Sequence, residues 1–131
     1  MQPRSVLSMI FALFVLIAGA CDPLLLPDSS AQSEIRLTLT ANPDSTQARV
    51  FQFVAEITGG ADNEPSLYCQ ATTWDFGDGP GLTVTPSCVP YSPEVRITRR
   101  FEVKHTYDKA GTYEATLVYG PLRAQRSVQV P

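Results

Sequence analysis

Beyond residue 34, apolar side chains recur at nearly every second position, and that period decides what the chain can fold into. Successive side chains of a strand point to opposite faces, so a period of two marks a half-buried strand rather than an amphipathic helix. Ile35, Leu37 and Leu39 alternate with Arg36, Thr38 and Thr40; Phe51, Phe53, Ala55 and Ile57 alternate with residues that include Gln52 and Glu56. Tyr68, Thr72, Trp74 and Phe76 share one face of a third strand, with Cys69, Ala71, Thr73 and Asp75 on the other. Val95, Ile97, Phe101 and Val103 follow the same rule, as do Tyr113, Ala115, Leu117 and Tyr119, and then Leu122, Ala124, Val128 and Val130. Turn-forming clusters at 42–44, 59–63 and 77–81 separate these runs. The expectation is an all-β, antiparallel sandwich of about seven strands.

Two short motifs sharpen it. Trp74-Asp75-Phe76-Gly77-Asp78-Gly79 puts two aromatics on one strand face and closes on a Gly-Asp-Gly turn. His105-Thr106-Tyr107 precedes a polar turn, and Gly111-Thr112-Tyr113 opens the next strand. An inward tryptophan and a tyrosine at the corner before a later strand are the pattern of an immunoglobulin-like sandwich. In this order the motifs resemble the polycystic-kidney-disease (PKD) repeat, a β-sandwich module of extracellular and bacterial surface proteins. The resemblance covers roughly residues 34–131 and implies a binding or spacer module rather than a catalyst. It makes Trp74, Asp75, Phe76, Gly77, Asp78, Gly79, His105, Thr106, Tyr107, Gly111 and Tyr113 parts of a folding motif.

The first twenty residues read differently. Arg4 is the one charged side chain before Asp22, and Val6 to Ala20 is almost wholly apolar, shorter than the ~20 residues a membrane-spanning helix needs. Residues 1–20 read as an export signal, with Ala18-Gly19-Ala20 satisfying the small-x-small cleavage rule. Ile17-Ala18-Gly19-Ala20-Cys21 also resembles the lipobox of bacterial lipoproteins, Ala18 standing where that family usually has leucine. Both readings cut before Cys21. The chain has three cysteines. Lipidation of Cys21 leaves Cys69 and Cys88 as an even pair for an oxidising compartment, whereas plain secretion leaves Cys21 as a free thiol. A Cys69–Cys88 bridge would staple the long segment 80–104 to the outward side of the third strand. It would not be a core bridge, since Ala115 stands where antibody domains carry their second core cysteine. Residues 21–33 form a tether with two prolines and three serines, in which Leu24-Leu25-Leu26 is an unusual apolar run.

Candidate chemistry is sparse. Asp75 and Asp78 are the nearest to paired carboxylates, for calcium or for acid–base work. The simpler reading has Asp78 capping the turn and Asp75 bonding nearby backbone. His105 is the sole histidine, without a metal-spaced partner or a nucleophile in the sequence pattern, and reads as structural. Arg96, Arg100 and Lys104 fall on one face of a strand, offering a basic strip to an acidic glycan or protein, or simply a solvated outer face. Arg99 and Arg126 interrupt apolar faces, as a bulge or a snorkelling side chain would. Tyr91, in the proline-rich insertion, is the leading aromatic for a ligand surface with Arg96 and Arg100, and Tyr68 and Tyr119 stand behind it. The net charge of −3 gives no reason to expect nucleic acid. The expected protein is a non-catalytic extracytoplasmic module, periplasmic or at the cell surface, held to the membrane by a lipid anchor. It binds an envelope protein or polysaccharide and needs no cofactor and no metal. The alternatives are an assembly subunit of an envelope complex and a secreted, non-lipidated domain.

Overall fold

The structure, a computed structural model, describes residues 33–131, so the expected export signal, Cys21 and the leucine run lie outside the described residues. Seven strands form in chain order: β1 (Arg36–Pro43), β2 (Val50–Thr58), β3 (Thr72–Asp75), β4 (Leu82–Val84), β5 (Arg100–Thr106), β6 (Gly111–Tyr119) and β7 (Leu122–Val130). They make two antiparallel sheets, ordered β1-β2-β5 and β4-β3-β6-β7. The expected all-β sandwich is what forms.

Period two sets the register. Leu37 lies opposite Ile57 and Leu39 opposite Ala55, so the alternating apolar sets of β1 and β2 fall on one face. Trp74 pairs with Leu117, and Leu117 with Ala124, which aligns the inward rows of β3, β6 and β7. A one-residue slip would turn each row out to solvent. Between the sheets Phe53, Ala55 and Leu117 are fully buried, and Trp74 and Phe76 nearly so. The Phe53 and Phe76 rings meet across the core at 5.1 Å between centroids. Removing this apolar surface from water is the main force holding the sheets together.

Two segments depart from simple alternation. The run beginning at Tyr68 is not yet a strand: Pro65–Leu67 is a 3₁₀ turn, and β3 starts only at Thr72. Proline at the first position fixes φ and has no N–H to lose. The Glu64 carboxylate caps the turn by accepting from Ser66 N and Ser66 Oγ. Cys69 then takes a left-handed φ of 55°, which breaks extended geometry. Likewise Val95–Arg99 is not strand, although Ile97 is buried; its N–H donates to the Asp62 carbonyl at 2.8 Å. Arg99 is neither bulge nor snorkel. Its guanidinium donates to the carbonyls of Ile57, Gly59 and Gly60 and to Asp62, tying up the turn after β2. Gly59 in that turn has φ 75°, and a Cβ there would sit 2.3 Å from the Glu34 carbonyl oxygen.

The sandwich has two ends and two sides. Ser33, the Gly59–Gly60 turn and the start of β5 share one end, joined by Gly60 N donating to Ser33 O at 3.0 Å. The Gly77 turn, His105 and the start of β6 share the other. On one side β1 packs along β7. On the other, β4 and β5 make no comparable contact, and the segment between them covers a gap.

Candidate functional site

The motif residues gather at the end far from Ser33. Gly77 N donates to Asp75 Oδ1 at 2.9 Å, so Asp75, rather than Asp78, closes the turn. Gly77 has φ 79°, and a Cβ there would press within 2.9 Å of the Glu114 carbonyl oxygen. Asp78 reaches across instead: its Oδ2 lies 2.8 Å from His105 Nε2, joining the two motifs. The imidazole stacks on Phe76 at 3.9 Å, 7° from parallel, and Tyr107 meets it edge-on. The buried Tyr107 hydroxyl donates to Phe76 O at 3.1 Å. Tyr113 donates to Lys109 O four residues back, the bond of a tyrosine corner. Burial pushes the Tyr107 phenol up to about 12, with the negative charge of Asp78 adding to the effect. Thr106 is exposed opposite Val50, Gly111 opens β6 opposite Val130, and Gly79 sits exposed in the turn. Trp74 lies behind, stacked at 6.2 Å on Phe76. Among the described residues no hydroxyl or thiol bonds the His105 ring, and no three His, Cys, Asp or Glu side chains cluster as a metal would need. This is a polar clasp that locks the ends of three strands.

The other end holds a cleft. Where β4 and β5 separate, a cavity of about 240 Å³ opens. Its walls come from both sheets and from the arm between them: Tyr68, Val84, Ile97, Phe101 and Tyr119, with the disulfide at the rim. Cys69 and Cys88 are bridged, with Cα atoms 6.1 Å apart. The bridge staples the insertion to the segment before β3, outside the core, and both cysteines are exposed. Two tyrosines repeat the staple: Tyr68 Oη donates to Val89 O at 2.8 Å, and Tyr91 Oη to Asn63 O at 2.8 Å. Their rings meet edge-on at 5.5 Å. Tyr91 is therefore anchored rather than free, though 42% of it remains exposed. Tyr119 is buried, its hydroxyl donating to Leu67 O.

The basic strip is divided. Arg96 lies outside β5 and pairs with Asp62 at 2.8 Å. Arg100 bonds Glu102 at 2.6 Å and also pairs with Glu56, which faces it across β2; Lys104 approaches Asp44. What dominates this side is apolar. Leu82 and Val84 of the edge strand are 43% and 50% exposed, and Val89 in the loop 69%. Residues 80–93 carry no charged side chain at all, a run visible in the sequence. That run signals an uncharged surface; the walls supplied by Ile97 and Phe101 have no local signal, because they arrive from another element.

A two-sheet antiparallel sandwich with an inward tryptophan and a tyrosine corner is an immunoglobulin-like module. Comparison with protein-family models matches residues 36–119 to the PKD domain, and the chain belongs to that family. PKD domains are typically extracellular binding or structural modules and are generally non-catalytic. No curated protein and no solved structure matches the chain.

Proposed function

We propose that this chain is a lipid-anchored, extracytoplasmic binding module whose open sandwich edge takes an extended, uncharged segment of an envelope protein. The observation that carries this reading is the pairing of an unpartnered edge with an apolar cleft. Among the described residues β4 is bonded to β3 alone, which leaves one of its edges to accept a strand. Main-chain bonds to such an edge supply affinity, and the cleft beside Val84 offers a pocket for an apolar side chain. The edge is only three residues long and lies between Pro80 and Pro86, which restricts open-ended self-pairing. Protein is favoured over polysaccharide because the Tyr91 ring is met by Tyr68 and its hydroxyl is spent on Asn63. The neighbouring arginines already hold carboxylates. Lipid anchoring through Cys21 rests on the lipobox resemblance and the odd cysteine count.

The test is crosslinked capture from envelope fractions using the wild-type chain, Val84→Lys and Tyr91→Ala. A protein captured by the wild type and lost with Val84→Lys is the expected result. Binding of neutral glycans that survives Val84→Lys and disappears with Tyr91→Ala would replace the protein reading with a carbohydrate one.

A further inference from the structure

We propose that the cleft seats the indole ring of a tryptophan, carried into it by the strand that adds to β4. This deepens the binding reading above and rests on it for the delivery of the ring.

The register places the residue. Tyr119 pairs with Thr72 and Thr72 with Val84, so these three side chains form one row across β6, β3 and β4. Tyr119 and Thr72 are buried, which makes the row an inward one. A strand added at the outer edge of β4 would continue the row with whichever residue faces Val84. The row now ends on exposed apolar surface: Val84 is 50% exposed although its neighbours in the row are covered.

Size and chemistry choose the ring. An apolar cavity of about 150 Å³ takes one benzene ring. In proportion, 240 Å³ takes roughly nine ring atoms, those of an indole. Phe101 and Tyr119 lie along the wall with ring centroids 4.7 Å apart, and aromatic neighbours favour an aromatic guest over an aliphatic one of equal area. A polar atom waits inside. Thr72 is 7% exposed, and its hydroxyl has no hydrogen-bond partner among the described residues. None of their polar side-chain atoms is both sealed from solvent and unpartnered, so this hydroxyl opens on the cleft that Thr72 lines. It can accept from an indole N–H, the donor that a buried tryptophan must satisfy. From a residue facing Val84 to Thr72 is two strand spacings, roughly 10 Å, which a tryptophan side chain crosses and a leucine does not.

The experiment uses the full chain, isotope-labelled, in phospholipid nanodiscs. It is titrated with short blocked peptides of alternating serine and threonine whose central residue is tryptophan, indole-N-methylated tryptophan, tyrosine or leucine. The methyl signals of Ile97 report the cleft, and the amide signals of β4 report strand addition. The tryptophan peptide is expected to shift both and to bind about tenfold tighter than the leucine peptide. Methylating the indole nitrogen should weaken binding about fivefold, and in Thr72→Val the two tryptophan peptides should bind alike. Leucine or tyrosine binding as tightly as tryptophan would overturn the indole seat, as would a difference between the two tryptophan peptides that persists in Thr72→Val. Shifts in β4 would in those cases leave edge binding standing. A tryptophan-selective shift at Ile97 with silent β4 amides would keep the seat and remove strand addition. No shift with any peptide would overturn both.

Discussion

Tyr107 shows what a single side chain contributes at the far end of the sandwich. It is 1% exposed, its ring lies 4.4 Å from Tyr113, and its hydroxyl satisfies the Phe76 carbonyl just before the Gly77 turn. Tyr107→Phe keeps the ring and removes the donor, stranding a buried acceptor; the expected cost is about 1–3 kcal/mol by urea unfolding. The same residue sets an alkaline limit. Burial raises its folded pKa to about 12 from an ordinary 10, so the folded chain keeps the proton that the unfolded chain releases. The unfolded state then binds fewer protons, and stability falls as pH rises through that interval. The contribution of Tyr107 is fully present below pH 10 and is lost as pH rises through about 12. Burial raises the Tyr119 phenol in the same direction. Rapid urea titrations between pH 9 and 12 should show the decline, and the Tyr107→Phe variant should show a shallower one. A slope identical in the variant would remove Tyr107 from the account.

Among the elements, β4 is the one that depends on something other than its own pairing. It has three residues, all exposed, and among the described residues it pairs only with β3. What steadies its C-terminal flank is the Cys69–Cys88 bridge, with the Tyr68 and Tyr91 bonds beside it. Closing a loop of this size contributes ~3 kcal/mol in the chain-entropy view. Cys69→Ser is therefore expected to lower stability by about 2–4 kcal/mol. Amide exchange should accelerate in β4 and in 85–93 before it changes in β2 or β6, because opening free energies differ between elements. Uniform acceleration across both sheets would mean that the bridge supports the core rather than the insertion. This is also the region where the sequence was hardest to read. The inward rows Phe53, Ala55, Ile57 and Ala115, Leu117 followed from period two because burial on one face forces it. Tyr68 obeyed the same spacing for a different reason, as a loop residue reaching Val89, and nothing local foretells the left-handed turn at Cys69. Arg100 looked free in the sequence because its partner Glu56 arrives only through the β2–β5 register.

At the scale of the whole molecule, the two ends divide the labour. The motif that carries the family resemblance lies beside His105 and Gly77, and its polar groups bond one another. The cleft lies at the opposite end, where Gly60 N donates to Ser33 O. The motif was legible because each of its two parts, 74–79 and 105–113, is a short contiguous stretch; the cleft was not, because Val84, Ile97 and Phe101 come from separate segments. This polarity gives the anchor proposal a geometric consequence. Ser33 lies at the cleft end, so the tether of an anchored chain would join the sandwich there; thirteen residues from Cys21 to Ser33 extend at most ~43 Å, which bounds the distance of that attachment point from the bilayer. A partner at the cleft would then lie near the tether's attachment point. The anchor itself is decided by the intact mass of the protein from its native membrane fraction. The expected species begins at Cys21, carries acyl mass, and gains two hydrogens on reduction as the Cys69–Cys88 bridge opens. A bare chain beginning at Cys21 in the soluble fraction would remove the lipid anchor and leave Cys21 as a free thiol. The domain would then have no tie to the membrane, and pairing of two chains through Cys21 would become the next state to measure.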